Sequence, residues 1–475
     1  MEITNKLADL SARIKVTAPA KLSTEHVPFV IHHANLVRTL KGIDGLGLRE
    51  GSIAEDHSLA IDAQGLIEDI FPSSDQARAQ ALSDGHKSID AQGRYILPGL
   101  INAHAHVFGS GKGIPLGINT KDSQAMAKSF LQTVPGQAFL RKITESNIRQ
   151  ALLSGVTTLR TVGDIAYDTV ALRDRINDGK TVGPRILASG PLLAIHGGHG
   201  APLIALEGDS EEEIISNVHQ LLDHGVDVIK IAATGGVTDS QVLGEAGQPQ
   251  MTEENMRLIC QEAHKAGVMV AAHAQSLEGT KRALKAGVDT IEHGSTLDQE
   301  VTALYRKNPN SLRGWSAVIP TLSAMLPTVS LDQDELGMSD VARSNSAQVG
   351  ENLLTGLREA VAKNLHVGVG TDSAMPYVTQ YNTWRELDYL VRYAGMAPAQ
   401  AIYAATGANA EILGLDQVTG SLTIGLAADL LVVEGNPLDD LRALDKPALV
   451  VAGGIPVWRP HAKHFPAVDQ ALDTI

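Results

Sequence analysis

The chain has 475 residues, 39 basic and 54 acidic, for a formal net charge of −15. Hydrophobic residues make up 43% and charged residues 20%, the balance of an ordinary soluble globular protein. The acidic excess argues against nucleic acid or an anionic membrane as main partner, and no apolar run approaches the ~20 residues of a membrane span. A single cysteine excludes an internal disulfide and any multi-thiolate metal site. Residues 1–13 interleave charged and apolar side chains, so no secretory segment is read there. The expectation is a soluble, cytoplasmic enzyme that acts on a small molecule and forms a homo-oligomer.

Residues 1–25 read as a short amphipathic helix, with Ile3, Leu7, Leu10 and Ile14 on one face, followed by a polar tail. From 27 to 96 the segments are short and rich in β-branched residues, with strands expected at 29–37, 59–61 and 66–71. At Pro98-Gly99 the pattern changes. Short apolar runs then alternate with amphipathic helices for over 300 residues. The runs fall at 99–103, 157–162, 185–193, 227–231, 268–272, 289–291, 316–320 and 367–370. Eight strands with intervening helices predict an α/β fold, a (β/α)8 TIM barrel. After Gly420, strands at 430–433, 449–451 and 455–458 are expected to pair with 27–97. The predicted organisation is a barrel over 98–418 and a small β-sandwich built from 1–97 and 419–475.

Five of the eight runs end in a residue able to bind a metal. The first ends His104-Ala105-His106, and alternate residues of an extended chain face the same way. Run four carries Lys230 among apolar residues, run five ends in His273, run six in His293, and run eight in Asp372. Each has an ordinary reading: a surface His pair, a strand-end lysine with its stem buried, an aspartate capping the next helix. Those readings would have to hold together at six positions on one rim, where the active sites of such barrels sit.

These residues resemble the amidohydrolase superfamily. The likeness runs from about 89 to 437 and is strongest in Leu97-Pro98-Gly99-Leu100-Ile101-Asn102-Ala103-His104-Ala105-His106. The stretch Gly420-Ser421-Leu422-Thr423-Ile424-Gly425-Leu426-Ala427-Ala428-Asp429-Leu430 is similar to the family's return strand. Within the superfamily the chain looks most like the prolidase-like (Xaa-Pro dipeptidase-like) and imidazolonepropionase-related members. The resemblance implies two metal ions. His104 and His106 would hold one, His273 and His293 the other, with Lys230 bridging as its carbamate (N6-carboxylysine). Asp372 would complete the first ion's shell and take the proton of the attacking water. Nitrogen and oxygen donors without thiolate suit Zn²⁺, with Mn²⁺, Co²⁺ or Fe²⁺ as alternatives.

Run three leads into Ile195-His196-Gly197-Gly198-His199-Gly200. His196 is the candidate to stabilise an oxyanion and contact substrate, His199 a second substrate contact, and Lys112 a further cation for a carboxylate. Arg160 reads as a structural ion-pair partner inside the barrel. The glycine-rich segment 233–250 is long for its place and reads as a lid or specificity loop. Thr234-Gly235-Gly236-Val237 fits the prolidase-like pattern. Gln250-Met251-Thr252 departs from it, where an aromatic residue before a serine is expected. Cys260 reads as core, His264 as solvated, and His219 and His224 as remote from the rim.

The expected reaction is hydrolysis of the amide bond of a dipeptide (Xaa-Pro-like) or N-acyl amino acid. Hydantoinase- or dihydroorotase-like cyclic amide hydrolysis and imidazolonepropionase activity are the alternatives, with a non-catalytic scaffold behind them. Deamination is disfavoured, because no carboxylate follows His273 in His273-Ala274-Gln275-Ser276.

Overall fold

A computed structural model of the chain describes residues 24–39, 51–112, 121–238, 240–332, 336 and 338–475. The helix expected within 1–25 lies outside the described residues, save for 24 and 25. The first strands are β1 (Phe29–Val37), β2 (Ile53–Ile61), β3 (Ile67–Pro72), β4 (Lys87–Asp90) and β5 (Tyr95–Pro98). Then come β6 (Leu100–Ala105), β7 (Val156–Thr161), β8 (Arg185–Leu187), β9 (Leu192–Ala194) and β10 (Ala205–Glu207). Next are β11 (Val228–Ala232), β12 (Met269–Ala274), β13 (Thr290–His293) and β14 (Ala317–Ile319). The last are β15 (Leu430–Val433), β16 (Leu449–Ala452) and β17 (Ile455–Trp458).

Both ends of the chain meet in one mixed sheet, ordered β17-β16-β15-β5-β1-β2-β3, with β4 also on β1. The strands of the two chain ends pair as expected, in one continuous sheet of eight hydrogen-bonded strands. Its joint is the antiparallel pairing of β15 with β5, Leu430 opposite Pro98 and Leu431 opposite Leu97. Alternation explains the apolar content of these strands. Ile96, Leu430, Val432 and Val451 enter the sheet's own core, while Leu97, Leu431, Val433 and Val450 enter the larger core beneath. A strand buried on both faces must be apolar throughout.

Two parallel sheets make up the rest: β6-β7-β8 and β10-β9-β11-β12-β13-β14. Run 367–370 forms no named strand. It nonetheless lies between the two sheets, since Gly368 N–H donates to Val318 O and Ala103 N–H to Val369 O, each at 2.9 Å. Asn409 ties the same place together, donating to Ile101 O at 2.7 Å and Val369 O at 2.8 Å. At the other edge, Asp227 N–H donates to Ala188 O at 2.8 Å. Run 185–193 is two short strands rather than one, broken before Pro191, which has no N–H to give a ladder.

The helices between strands start on side-chain caps: Ser210 with Glu213 in a capping box, Thr252, and Ser276. Cys260 is buried beside Met256, Ile259 and Ala263 on the helix Glu253–Lys265, as expected. His264, on the same helix, is not solvated. Its Nε2 lies 2.9 Å from Oδ2 of Asp289, the residue just before β13. His219 is exposed and faces Glu262, and His224 stacks on Tyr167; neither lines the cavity described below. No helix among the described residues is long and apolar enough to cross a membrane.

Candidate metal centre

The C-terminal ends of the parallel strands converge on one large cavity of about 1330 Å³. His104, His106, Lys230, His273, His293 and Asp372 all line it, and all six are buried. His104, His273 and His293 lie in the last two positions of β6, β12 and β13, His106 just after β6, Lys230 in the middle of β11, and Asp372 just after run 367–370. Their convergence is a product of parallel strand order, since separate strands deliver their ends to one face.

Ring contacts and hydrogen bonds set the orientation of the imidazoles. His104 Nδ1 donates to Glu292 Oε2 at 2.6 Å, and His106 Nδ1 donates to Gly163 O at 2.7 Å. Each ring is left with Nε2 directed at Asp372 Oδ1, at 3.3 Å from His104 and 3.0 Å from His106. His293 Nδ1 meets Thr321 Oγ1 at 2.7 Å, and its ring sits 5.2 Å from that of His104 and 4.7 Å from that of His273. Donor atoms of His104, His293 and Asp372 lie within 4.8 Å of one another, close enough to share an ion. Gly370 makes this closeness possible: a Cβ there would sit 2.4 Å from His104 Cβ.

Backbone strain collects here as well. His293, Thr321 and Asp372 all adopt left-handed backbone, with φ of 68°, 54° and 59°. For non-glycine residues such conformations cost about 1–3 kcal/mol each and persist where the surroundings impose them.

The electrostatics suit a cation. Burial drives the His273 and His293 imidazoles well below their usual range, holding them neutral, the form that binds metal. Burial also pulls the Lys230 ammonium down to about 8. For Asp372, burial alone would raise the carboxyl, but the charges and hydrogen bonds of His104 and His106 hold it well below the usual range. The donor set is therefore imidazole, carboxylate and a readily neutralised amine, without sulfur, and it fits a divalent ion of borderline hardness.

Of the three rim residues expected to contact substrate, the structure brings two to the cavity and leaves one out. His199 lines the cavity and stacks on His273 with ring centres 4.0 Å apart. Its backbone N–H donates to Gln250 Oε1 at 2.9 Å, so the residue that breaks the expected pattern positions the histidine. His196 does not line the cavity. Its ring is exposed and its Nδ1 lies 3.0 Å from Asp209 Oδ2. Lys112 lines the cavity. The two ends of segment 233–250 pair, with Gly235 N–H on Gln248 O and Gln250 N–H on Ala233 O, both at 2.9 Å.

Three residues that the sequence reading passed over support the site. Glu292 is fully buried and takes hydrogen bonds from Arg160, Thr290 and His104, with Arg160 Nη2 at 2.8 Å. Its partner Arg160 is structural, as expected. A charged residue inside each of two buried strands was the available signal for this pair. Thr321, which bonds His293, had no such signal. Glu386 accepts from Leu322 and Ser323 N–H at 2.8 and 2.6 Å, closing the helix end next to Thr321.

Residues 95–457 match the model of the amidohydrolase family. The chain is a member of the amidohydrolase family. This amidohydrolase is 47% identical to a protein of Bifidobacterium longum assigned as a prolidase, with a TM-score of 0.81 over 95% of this chain and 99% of that one. It is 30% identical to a Xaa-Pro dipeptidase crystallised with methionine in its active site (TM-score 0.74, covering 91% and 100%). The ochratoxinase of Aspergillus niger is 27% identical over 77% of this chain and 74% of its own. The imidazolonepropionase of Chloroflexus aggregans is 25% identical over 91% and 96%. The amidohydrolase is accordingly an enzyme that hydrolyses carbon–nitrogen bonds.

Proposed function

We propose that the protein is a two-metal amide hydrolase cleaving Xaa-Pro-type dipeptides or N-acyl amino acids. The observation that carries this reading is the set of six buried ligands at the floor of one cavity. In it, His104 and His106 hold one ion with Asp372, His273 and His293 hold the second, and Lys230 joins them as its carbamate. The reading places these strand ends on a closed (β/α)8 barrel spanning 98–418, flanked by 1–97 and 419–475. When bound, divalent ions, for which Zn²⁺ suits the donors best, supply an activated water and polarise the scissile carbonyl.

The chain's own residues do the rest. Asp372, ionised, would accept the proton of the attacking water and return it to the departing amine nitrogen. Lys230 is inclined to react with CO₂ because burial leaves about a tenth of it as neutral amine at pH 7, far more than an exposed lysine. His199, stacked on His273 at the cavity wall, would donate to a substrate oxygen. Phe108, Phe130, Phe139, Ile143 and Ile204 line the same cavity, exclude water and receive the apolar parts of a substrate.

The test is turnover of Xaa-Pro dipeptides and N-acyl amino acids alongside a hydantoin and an imidazolone, with metal content measured on the same sample. Hydrolysis of the open-chain amides with two ions per chain is expected. Activity confined to the cyclic substrates, or a single ion with imidazolone turnover, would overturn the reading.

A further inference from the structure

The cations of the cavity divide by depth. Lys230 is buried among the imidazoles, whereas Lys112 and Lys463 line the same cavity and are solvent-exposed. Among the described residues, neither outer lysine belongs to an ion pair, although other surface lysines do. The only carboxylate among the described lining residues is Asp372, on the floor. In a chain of net charge −15, two ammonium groups at one opening with no ion pair among the described residues run against the overall field.

Lys463 arrives from beyond the family match, which ends at 457. The segment after β17 is anchored over the opening. Lys463 N–H donates to Gln150 Oε1 at 2.5 Å, and Phe465 N–H donates to Tyr381 Oη at 2.7 Å. Asp469 on the helix Pro466–Leu472 holds His464 Nδ1 at 3.0 Å and accepts from Tyr381 Oη at 3.2 Å. Phe465, so fixed, lies under the Lys112 ammonium, 5.9 Å from ring centre to nitrogen. Two loops far apart in sequence thus bring their charges to one edge. Between that edge and the floor stand the aromatic and aliphatic walls, and the volume of about 1330 Å³ exceeds the roughly 300–1,000 Å³ of ordinary small-ligand pockets. A dipeptide leaves much of it unfilled.

We propose that Lys112 and Lys463 form an outer rim that binds an anionic group at the far end of the substrate. The preferred substrates are then amides whose bulky apolar body ends in a carboxylate or comparable anion. This rests on the amide-hydrolase reading for the position of the scissile bond, but the rim can be tested apart from turnover. Two probes share the scissile amide and differ only at the far end: N-octanoyl-L-proline and the mono-amide of octanedioic acid with L-proline.

An exposed ion pair contributes about two- to fivefold, so with two lysines the wild type should favour the diacid probe about four- to twenty-five-fold in kcat/KM. Raising salt should shrink the preference. In the Lys112→Gln/Lys463→Gln double variant the ratio should fall to near one, and in the corresponding double Arg variant it should persist. A ratio near one in the wild type, or a preference that survives both glutamines, overturns the rim. Should neither probe be hydrolysed, titration calorimetry of both into the metal-loaded wild type and double variant decides. A diacid preference in Kd that the glutamines abolish keeps the rim and removes the hydrolase reading. Equal affinities, or no binding of either probe, overturn the rim.

Discussion

Glu292 stands between His104 and Arg160, one oxygen 2.6 Å from His104 Nδ1 and the other 2.8 Å from Arg160 Nη2. The carboxylate fixes the ring's tautomer and leaves Nε2 for the cavity. Burial alone would raise its carboxyl, but the Arg160 and Lys230 charges hold it ionised, well below the usual range. Glu292→Gln would leave Arg160 buried without its counter-charge, a loss of about 3–5 kcal/mol of stability. Metal affinity should fall about 10- to 100-fold as His104 loses its orienting partner. Thermal unfolding and a metal titration check both; unchanged values in each would show that Glu292 is a bystander.

The wild type should contain two divalent ions per chain and lose its activity to a chelator, as read by elemental analysis and assay. Lys230→Ala should retain at most one ion and almost no turnover, with partial recovery when a short carboxylic acid is added. Normal kinetics in Lys230→Ala would remove the two-metal reading.

With its ammonium drawn down to about 8, Lys230 is about 10% neutral at pH 7 and about half neutral at pH 8. Only the neutral amine adds to CO₂. Carbamate formation in the metal-free protein at fixed dissolved CO₂ should therefore quicken about fivefold between those pH values and level off above pH 9. Carbon-13 NMR with labelled CO₂ measures it. A rate independent of pH would assign the carbamate to another route.

Asp372→Asn should keep most of the metal while kcat drops by about 10²–10⁴, because an amide cannot accept the water's proton. A kcat within a few fold of wild type would place the base elsewhere.

The two rim histidines should behave differently. His196→Ala should leave kcat/KM within about twofold, as its exposed contact with Asp209 lies outside the cavity. His199→Ala should lower it by about fivefold or more, through loss of a donor at the cavity wall. The reverse order would mean that the loop rearranges when substrate binds.

What the sequence disclosed follows from where the physics is local. Period-two burial and the His104-Ala105-His106 spacing place two imidazoles on one face without knowledge of the rest of the chain. Alternation of strands and helices then delivers His273, His293 and Asp372 to the same end. The supports of these residues are invisible in the same way that they are long-range. Glu292 acts on His104 across 188 positions, and Thr321 owes its role to a left-handed turn that no local pattern announces. His196 misled because flanking glycines mark a backbone free to approach a ligand, yet do not say which way the side chain turns. Asp209, 13 residues on, settled that.

The pairing of β5 with β15 has a consequence for how the protein is made. About 330 residues separate the two strands, so at about 5–20 residues per second the ribosome needs roughly 20–70 s to supply the neighbour of β5. Throughout that interval Ile96 and Leu97 present an open, apolar strand edge to whatever the cell holds nearby. The order of synthesis therefore leaves the nascent chain most vulnerable at β5, and a slowly translated message should raise its demand for chaperones more than it harms the finished enzyme.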